Sequence, residues 1–110
     1  MTLSQRDIVS VDFSLPGGAV KPHLAIVVSN DNLSKNTGVI YLALITSKDY
    51  NKEYCYPLTD DMLNFQLSKK SYVKCHILMA ELDFNIFRKV GKMKKQYFDE
   101  LQQKIIVSIF

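Results

Sequence analysis

Lys21 stands directly before Pro22, a place where the backbone is held extended and the side-chain direction is partly fixed. Thr46 and Ser47 follow an aliphatic run and offer hydroxyls that can donate to an anion. Lys74 and His76 are two residues apart in a stretch with strand character, so they project from one face of it. Two ammoniums, two hydroxyls and an imidazole form a chemical set suited to a phosphodiester. A base removes the proton of a ribose 2′-hydroxyl, a cation meets the charge gathering on phosphorus, and an acid protonates the leaving 5′-oxygen. RNA carries its own nucleophile, so this chemistry needs only positioning and proton transfer. The chain contains no P-loop, no nucleophile elbow and no metal-ligand spacing.

Each of these residues also has a plainer reading. Lys21 fits a solvated loop, and Thr46 and Ser47 fit a strand cap that opens a turn. His23 opens an aliphatic strand and fits a packed or edge imidazole, and His76 alternates with buried neighbours. Residue pattern alone therefore reaches a β-rich domain with a candidate anion site.

The elements that would position this set follow from periodicity. Asp7 to Phe13 alternates polar and apolar residues and predicts a half-buried strand, which Pro16-Gly17-Gly18 breaks. His23–Ser29 and Val39–Thr46 are nearly continuous aliphatic runs, expected of strands covered on both faces. Asn30 to Gly38, crowded with Asn, Ser and Asp, reads as loop. Glu53–Pro57 reads as a short strand that Pro57 places at an edge or an end. Ser71–Ile77 alternates again, with Tyr72, Lys74 and His76 on one face and Val73, Cys75 and Ile77 on the other.

Beyond that point the period changes. Asp83 is positioned to cap a short helix from Phe84 to near Gly91. Met93, Tyr97, Leu101 and Ile105 recur at helical spacing and predict an amphipathic helix over Lys94–Val107, with Glu100 and Lys104 as an i, i+4 pair. Five or six strands followed by a helix make a mainly β, α+β domain: a small barrel closed by a C-terminal helix, one domain over residues 1–110.

Charge is modest overall, at +3, but uneven. Leu67–Lys95 carries eight basic residues against Glu81 and Asp83, which fits either a basic surface facing a polyanion or a solvated, lysine-rich helix face. Cys55 and Cys75 lack metal-type spacing and read as reduced, half-buried strand residues, with a bridge between them possible but unforced. No apolar run reaches membrane-spanning length and no signal-peptide pattern is present, so the expectation is a cytoplasmic protein with no membrane contact.

The order of these residues resembles the MazF/PemK (Kid) toxins of bacterial type II toxin–antitoxin systems. Arg6-Asp7-Ile8-Val9-Ser10-Val11-Asp12-Phe13 is similar to the family's opening strand, and Gly18 through Asp31, with Lys21-Pro22 at its centre, resembles its glycine–arginine–proline segment. Thr37 through Ser47 resembles the strand that ends in isoleucine or valine and threonine, and Ser71-Tyr72-Val73-Lys74-Cys75-His76 resembles a later cysteine-containing strand.

That resemblance implies an SH3-like barrel of the PemK/MazF/CcdB type, a homodimer, and metal-independent endoribonuclease cleavage of single-stranded RNA. The products would be 2′,3′-cyclic phosphate and 5′-hydroxyl ends, no cofactor would be needed, and an antitoxin protein would cover the RNA groove. It assigns catalysis to Lys21, Thr46, Lys74 and His76, and RNA binding to Ser47, Lys48, Lys69, Lys70 and Tyr72. Phe13, Tyr41 and Tyr56 join Tyr72 as side chains able to stack on bases, though core or dimer packing is the expected use of most of them.

The match departs from the family at several places. Lys21 and Lys74 stand where it has arginines, His76 stands for an aspartate and Ile77 for a glutamine. The first-loop histidine of some members has no counterpart in Ser14-Leu15-Pro16-Gly17. An ammonium is a point charge where a guanidinium offers a planar fork, which leaves open a weak or inactive member that binds RNA or an antitoxin-like partner. A gyrase poison of the CcdB type is disfavoured because those toxins end in a tryptophan-containing tail and this chain has no tryptophan.

Overall fold

The computed structural model describes residues 2–110. Six strands are present: β1 (Asp7–Ser14), β2 (Val20–Val27), β3 (Val39–Thr46), β4 (Cys55–Leu58), β5 (Ser71–Leu82) and β6 (Arg88–Lys92). They form one antiparallel sheet in the order β4-β5-β3-β2-β1-β6, and the two helices are α1 (Asp31–Thr37) and α2 (Lys95–Ile109). No ladder joins β4 to β6, so the sheet is open. The segment after β4 nevertheless reaches the end of β6 through a bridge between Leu63 and Met93, with Lys94 N–H donating to the Met62 carbonyl at 2.8 Å. The result is a small barrel-like β fold with a C-terminal helix.

The continuous aliphatic runs have their explanation in two cores. Ile8, Ile26, Ala43, Ile45, Val73 and Cys75 face one way and pack with Phe98, Leu101 and Ile105 of α2. Val9, Phe13, Ala25, Val27, Leu42 and Leu44 face the other way with Ile40 and Ile86. The middle strands are therefore covered on both sides, and each fully buried aliphatic contributes about 1.5–3 kcal/mol. α2 presents a stripe of three buried residues to the sheet. Its polar side chains are used differently from the expectation: Glu100 accepts from the Tyr56 hydroxyl at 2.8 Å and Lys104 donates to the Cys55 carbonyl at 2.6 Å. Both therefore pin the helix to β4, and the i, i+4 ion pair that forms is Lys95–Asp99 at 3.1 Å.

Three segments differ from the sequence reading. Asn30–Gly38 contains helix α1, because Asn30 accepts from Leu33 N–H and Gly38 closes the helix in the left-handed region with φ 75°. The same residues that spell a loop also cap a helix. Phe84–Gly91 is no helix: a single 3-10 turn over Asp83–Asn85 is followed by β6, which pairs with β1. Gly91 is small for packing, since a Cβ there would lie 2.2 Å from Phe65 Cδ1. Finally, β5 runs on to Leu82, well beyond Ile77.

The basic run does not form one face. Lys89 and Lys92 lie 3.2 and 3.0 Å from the buried Asp7 carboxylate, whereas Lys74 is buried on β5. Both cysteines are free and buried.

Candidate nucleic-acid groove

The first hairpin places the lysine. Gly17 and Gly18 adopt φ of 91° and 98°, and the turn they make returns the chain so that Lys21 pairs with Phe13 and Pro22 with Asp12. At these residues β2 has a neighbour only on the β1 side, because its ladder with β3 begins at Leu24–Ile45. A proline, which has no N–H to give, is tolerated on such a free flank. The flank stays unfilled, and it becomes one wall of a groove of about 730 Å³.

A break in the β3–β5 register builds the opposite wall. Pairs run from Val39–Leu82 to Ala43–Leu78 and resume at Ile45–Val73, so Lys74, Cys75, His76 and Ile77 together face the single residue Leu44. Bulges of this kind bend a strand and re-aim its side chains. Val73 and Cys75 point into the core, while Lys74, His76 and Ile77 line the groove. The simple two-face alternation expected here is thus broken at Ile77.

All four residues expected to act in catalysis, Lys21, Thr46, Lys74 and His76, line this one groove, and so do Ser47, Lys48 and Lys69. Lys70 and Tyr72 are outside its lining; the Lys70 ammonium sits over the Tyr72 ring, 5.9 Å from its centroid. Phe13 is fully buried and has no face free to stack on a base, and Tyr56 is turned towards α2 by its bond to Glu100. Sequence reasoning set aside one lining residue: His23, which opens the free flank of β2 between Pro22 and Leu24. Its signal was position, directly after the lysine–proline pair, and only the missing β3 partner makes that position an open one.

The four central side chains differ in freedom. Lys21 is exposed and Thr46 half-buried. Lys74 is 4% exposed, and its ammonium donates to the Tyr50 carbonyl and lies 3.2 Å from Cys55 Sγ. A lysine tied to a carbonyl in this way supplies charge to the groove floor but is poorly placed to carry protons. His76 packs against Tyr54, ring centroids 4.9 Å apart, and its Nδ1 is buried with no hydrogen-bonding partner. That leaves Nε2 as the nitrogen able to exchange a proton with a ligand. Burial and then the Lys74 ammonium hold its pKa below the usual imidazole value, against a smaller opposing pull from Glu53. For His23, burial again lowers the pKa, a hydrogen bond with the Ile45 backbone resists, and the Lys21 and Lys48 ammoniums add to the fall.

Among the described residues no group of three histidine, cysteine or acidic side chains is placed to hold a metal ion. None of their helices is long and apolar enough to cross a membrane.

Comparison with known proteins supports this architecture. MazF (Form-I) from Deinococcus radiodurans superposes with a TM-score of 0.75 at 14% identity, covering 99% of each chain. A MazE–MazF structure (Form-III) from the same organism gives 0.70 at 14% identity over 98% of each chain. An endoribonuclease from a mycobacterial species gives 0.68 at 8% identity, over 96% of this chain and 88% of the other. At such identities the likeness is one of fold. No curated protein sequence matches the chain. A family profile described as PemK-like, MazF-like toxin of type II toxin-antitoxin system matches residues 4–109. With nearly its whole length matched and its fold shared, the chain belongs to the PemK-like, MazF-like toxins of type II toxin–antitoxin systems.

Proposed function

We propose that this toxin is an endoribonuclease that cleaves single-stranded RNA to 2′,3′-cyclic phosphate and 5′-hydroxyl ends without a metal ion. The reading rests on one observation above the others: Lys21, Thr46, Lys74 and His76, from three different strands, line the same groove. Lys21 holds the scissile phosphate and Thr46 donates its hydroxyl to it. Lys74 adds fixed positive charge from below, and the His76 imidazole exchanges a proton with one of the reacting oxygens. The 2′-oxygen gives up its proton and bonds to phosphorus, the bond from phosphorus to the 5′-oxygen breaks, and that oxygen takes up a proton. Lys48, Lys69 and Ser47 lie along the groove and track the RNA backbone.

The likeness in fold to an endoribonuclease from a mycobacterial species supports RNA cleavage, and that to the MazE–MazF structure supports an antitoxin protein as partner. The protein acts as a homodimer in the cytoplasm, in keeping with the family. The deciding experiment incubates purified protein with single-stranded RNA in EDTA and analyses the ends. Cyclic phosphate products that vanish when the nucleotide at the cut is 2′-deoxy support the reading. Absence of cleavage, or indifference to the deoxy substitution, overturns it.

The tether of Lys74 favours a second reading, a weak or inactive member that binds RNA or an antitoxin-like partner. Salt-sensitive RNA binding without products distinguishes it.

A further inference from the structure

The proposed reaction requires two proton transfers, one at the 2′-oxygen and one at the 5′-oxygen. His76 can serve one of them, while Lys74, buried and tied to Tyr50, is poorly suited to the other. The groove contains another imidazole. We propose that His23 is the second proton carrier, working across the phosphate from His76.

The sheet order carries the argument. β3 lies between β5 and β2, with Thr46 at its end; His76 belongs to the strand on one side and His23 to the strand on the other. Neighbouring strands are about 4.8 Å apart, so strands two apart are separated by about 9.6 Å. Transfer of a phosphoryl group places the attacking and leaving oxygens roughly in line, and a proton carrier must sit about 3 Å beyond each. A donor and an acceptor two strands apart fit that span measured across the sheet; along it, His76 lies in the bulge opposite Leu44, two residues before Thr46, and His23 directly precedes the Leu24–Ile45 pair. Both imidazoles line the same groove, each aimed by a local irregularity: the unpaired flank at Pro22 for His23, the four-residue bulge for His76. Each nitrogen either accepts the proton from the 2′-hydroxyl or returns one to the 5′-oxygen, so the pair starts as one neutral ring and one imidazolium and ends with the protonation states exchanged.

The inference rests on the nuclease reading, and the test separates the two. Wild-type protein, His23→Gln and His76→Gln are assayed on ordinary single-stranded RNA and on RNA whose leaving 5′-oxygen is replaced by sulfur, a leaving group that needs no acid. On ordinary RNA each variant is expected to lose about 10²–10⁴-fold in rate. On the sulfur-bridged RNA one of the two recovers and the other does not, which identifies acid and base. Retention by His23→Gln of activity within about threefold, or recovery of both or neither variant, overturns the role of His23. Absence of cleavage by wild-type protein overturns the nuclease reading instead. A readout free of folding effects uses wild-type protein: a 2′-deoxy oligonucleotide should shift the imidazole NMR signals of both His23 and His76, and an unmoved His23 signal counts against the proposal.

Discussion

The Lys74 ammonium lies 3.2 Å from the sulfur of Cys55, across the β4–β5 pair, and the same ammonium donates to the carbonyl of Tyr50. One side chain therefore joins the groove floor to the chain entering β4. The lysine is thus part of the architecture as well as of the charge of the groove.

Lys74→Met keeps the length of the side chain and removes the donor. It leaves the Tyr50 carbonyl without its partner, at a cost of about 1–3 kcal/mol. Urea denaturation should show a lower midpoint, and cleavage should fall as well because the groove loses a fixed charge. Cys55→Ser keeps a polar group beside the ammonium and should cost less. Equal stability of Lys74→Met and wild type would show that the tether has no energetic weight.

Lys21 behaves differently, since its side chain is exposed and only its backbone is committed, in the ladder with β1. Lys21→Ala should leave the denaturation midpoint within about 0.5 kcal/mol of wild type. Its cleavage rate should drop roughly 10²–10³-fold, the size expected when a charge-stabilising donor is removed. Lys21→Arg, which restores a planar bidentate fork, should match or exceed wild type. Thr46→Val should lose rate in the same way as Lys21→Ala. Single-turnover cleavage together with urea denaturation checks all three.

Both groove histidines have pKa values below the ordinary 6.5. A mechanism needing one neutral and one charged imidazole runs best between their two values, so kcat/KM should peak on the acid side of 6.5. Around His23 the charged neighbours are Lys21 and Lys48; around His76 they are Lys74 and Glu53. Lys48→Gln should move one limb of the profile upward in pH, and Glu53→Gln should move the other downward. The same shifts bear on stability: folding favours the neutral rings, so their contribution is present above 6.5 and is lost as pH falls through the range where the folded rings charge. An optimum above neutrality would overturn the assignment.

Gly91→Ala tests how the sheet approaches closure. The added methyl would lie 2.2 Å from Phe65 Cδ1 and 2.6 Å from Asn64 Oδ1, the atom that accepts from Lys92 N–H. Overpacking of this kind costs about 1–3 kcal/mol, readable as a fall in the urea midpoint. An unchanged midpoint would mean that the segment around Leu63 moves freely against β6.

The aliphatic runs at His23–Ser29 and Val39–Thr46, and Tyr97, Leu101 and Ile105 at helical spacing, are local signals, so five of the six strands and the last helix are legible without coordinates; Met93, read with that stripe, lies before the helix and bridges Leu63, and β6 reads as a helix. The errors fall where one residue type serves two purposes. Asn30 and Gly38 punctuate loops and also cap helices, so α1 was hidden. Gly91 resembled a helix end, yet it is small because Phe65 and Asn64 press against it from another part of the chain.

By itself the amino-acid sequence singled out Lys21-Pro22, Thr46 and the Lys74–His76 pair as one candidate set, and placed the strands that carry them. Only the tertiary structure decided that these groups share one groove, that Lys74 is buried and tethered, and that His23 joins them. The reason is physical: propensity and periodicity act over a few residues, whereas the bulge opposite Leu44 and the vacant flank of β2 arise from pairings between distant strands.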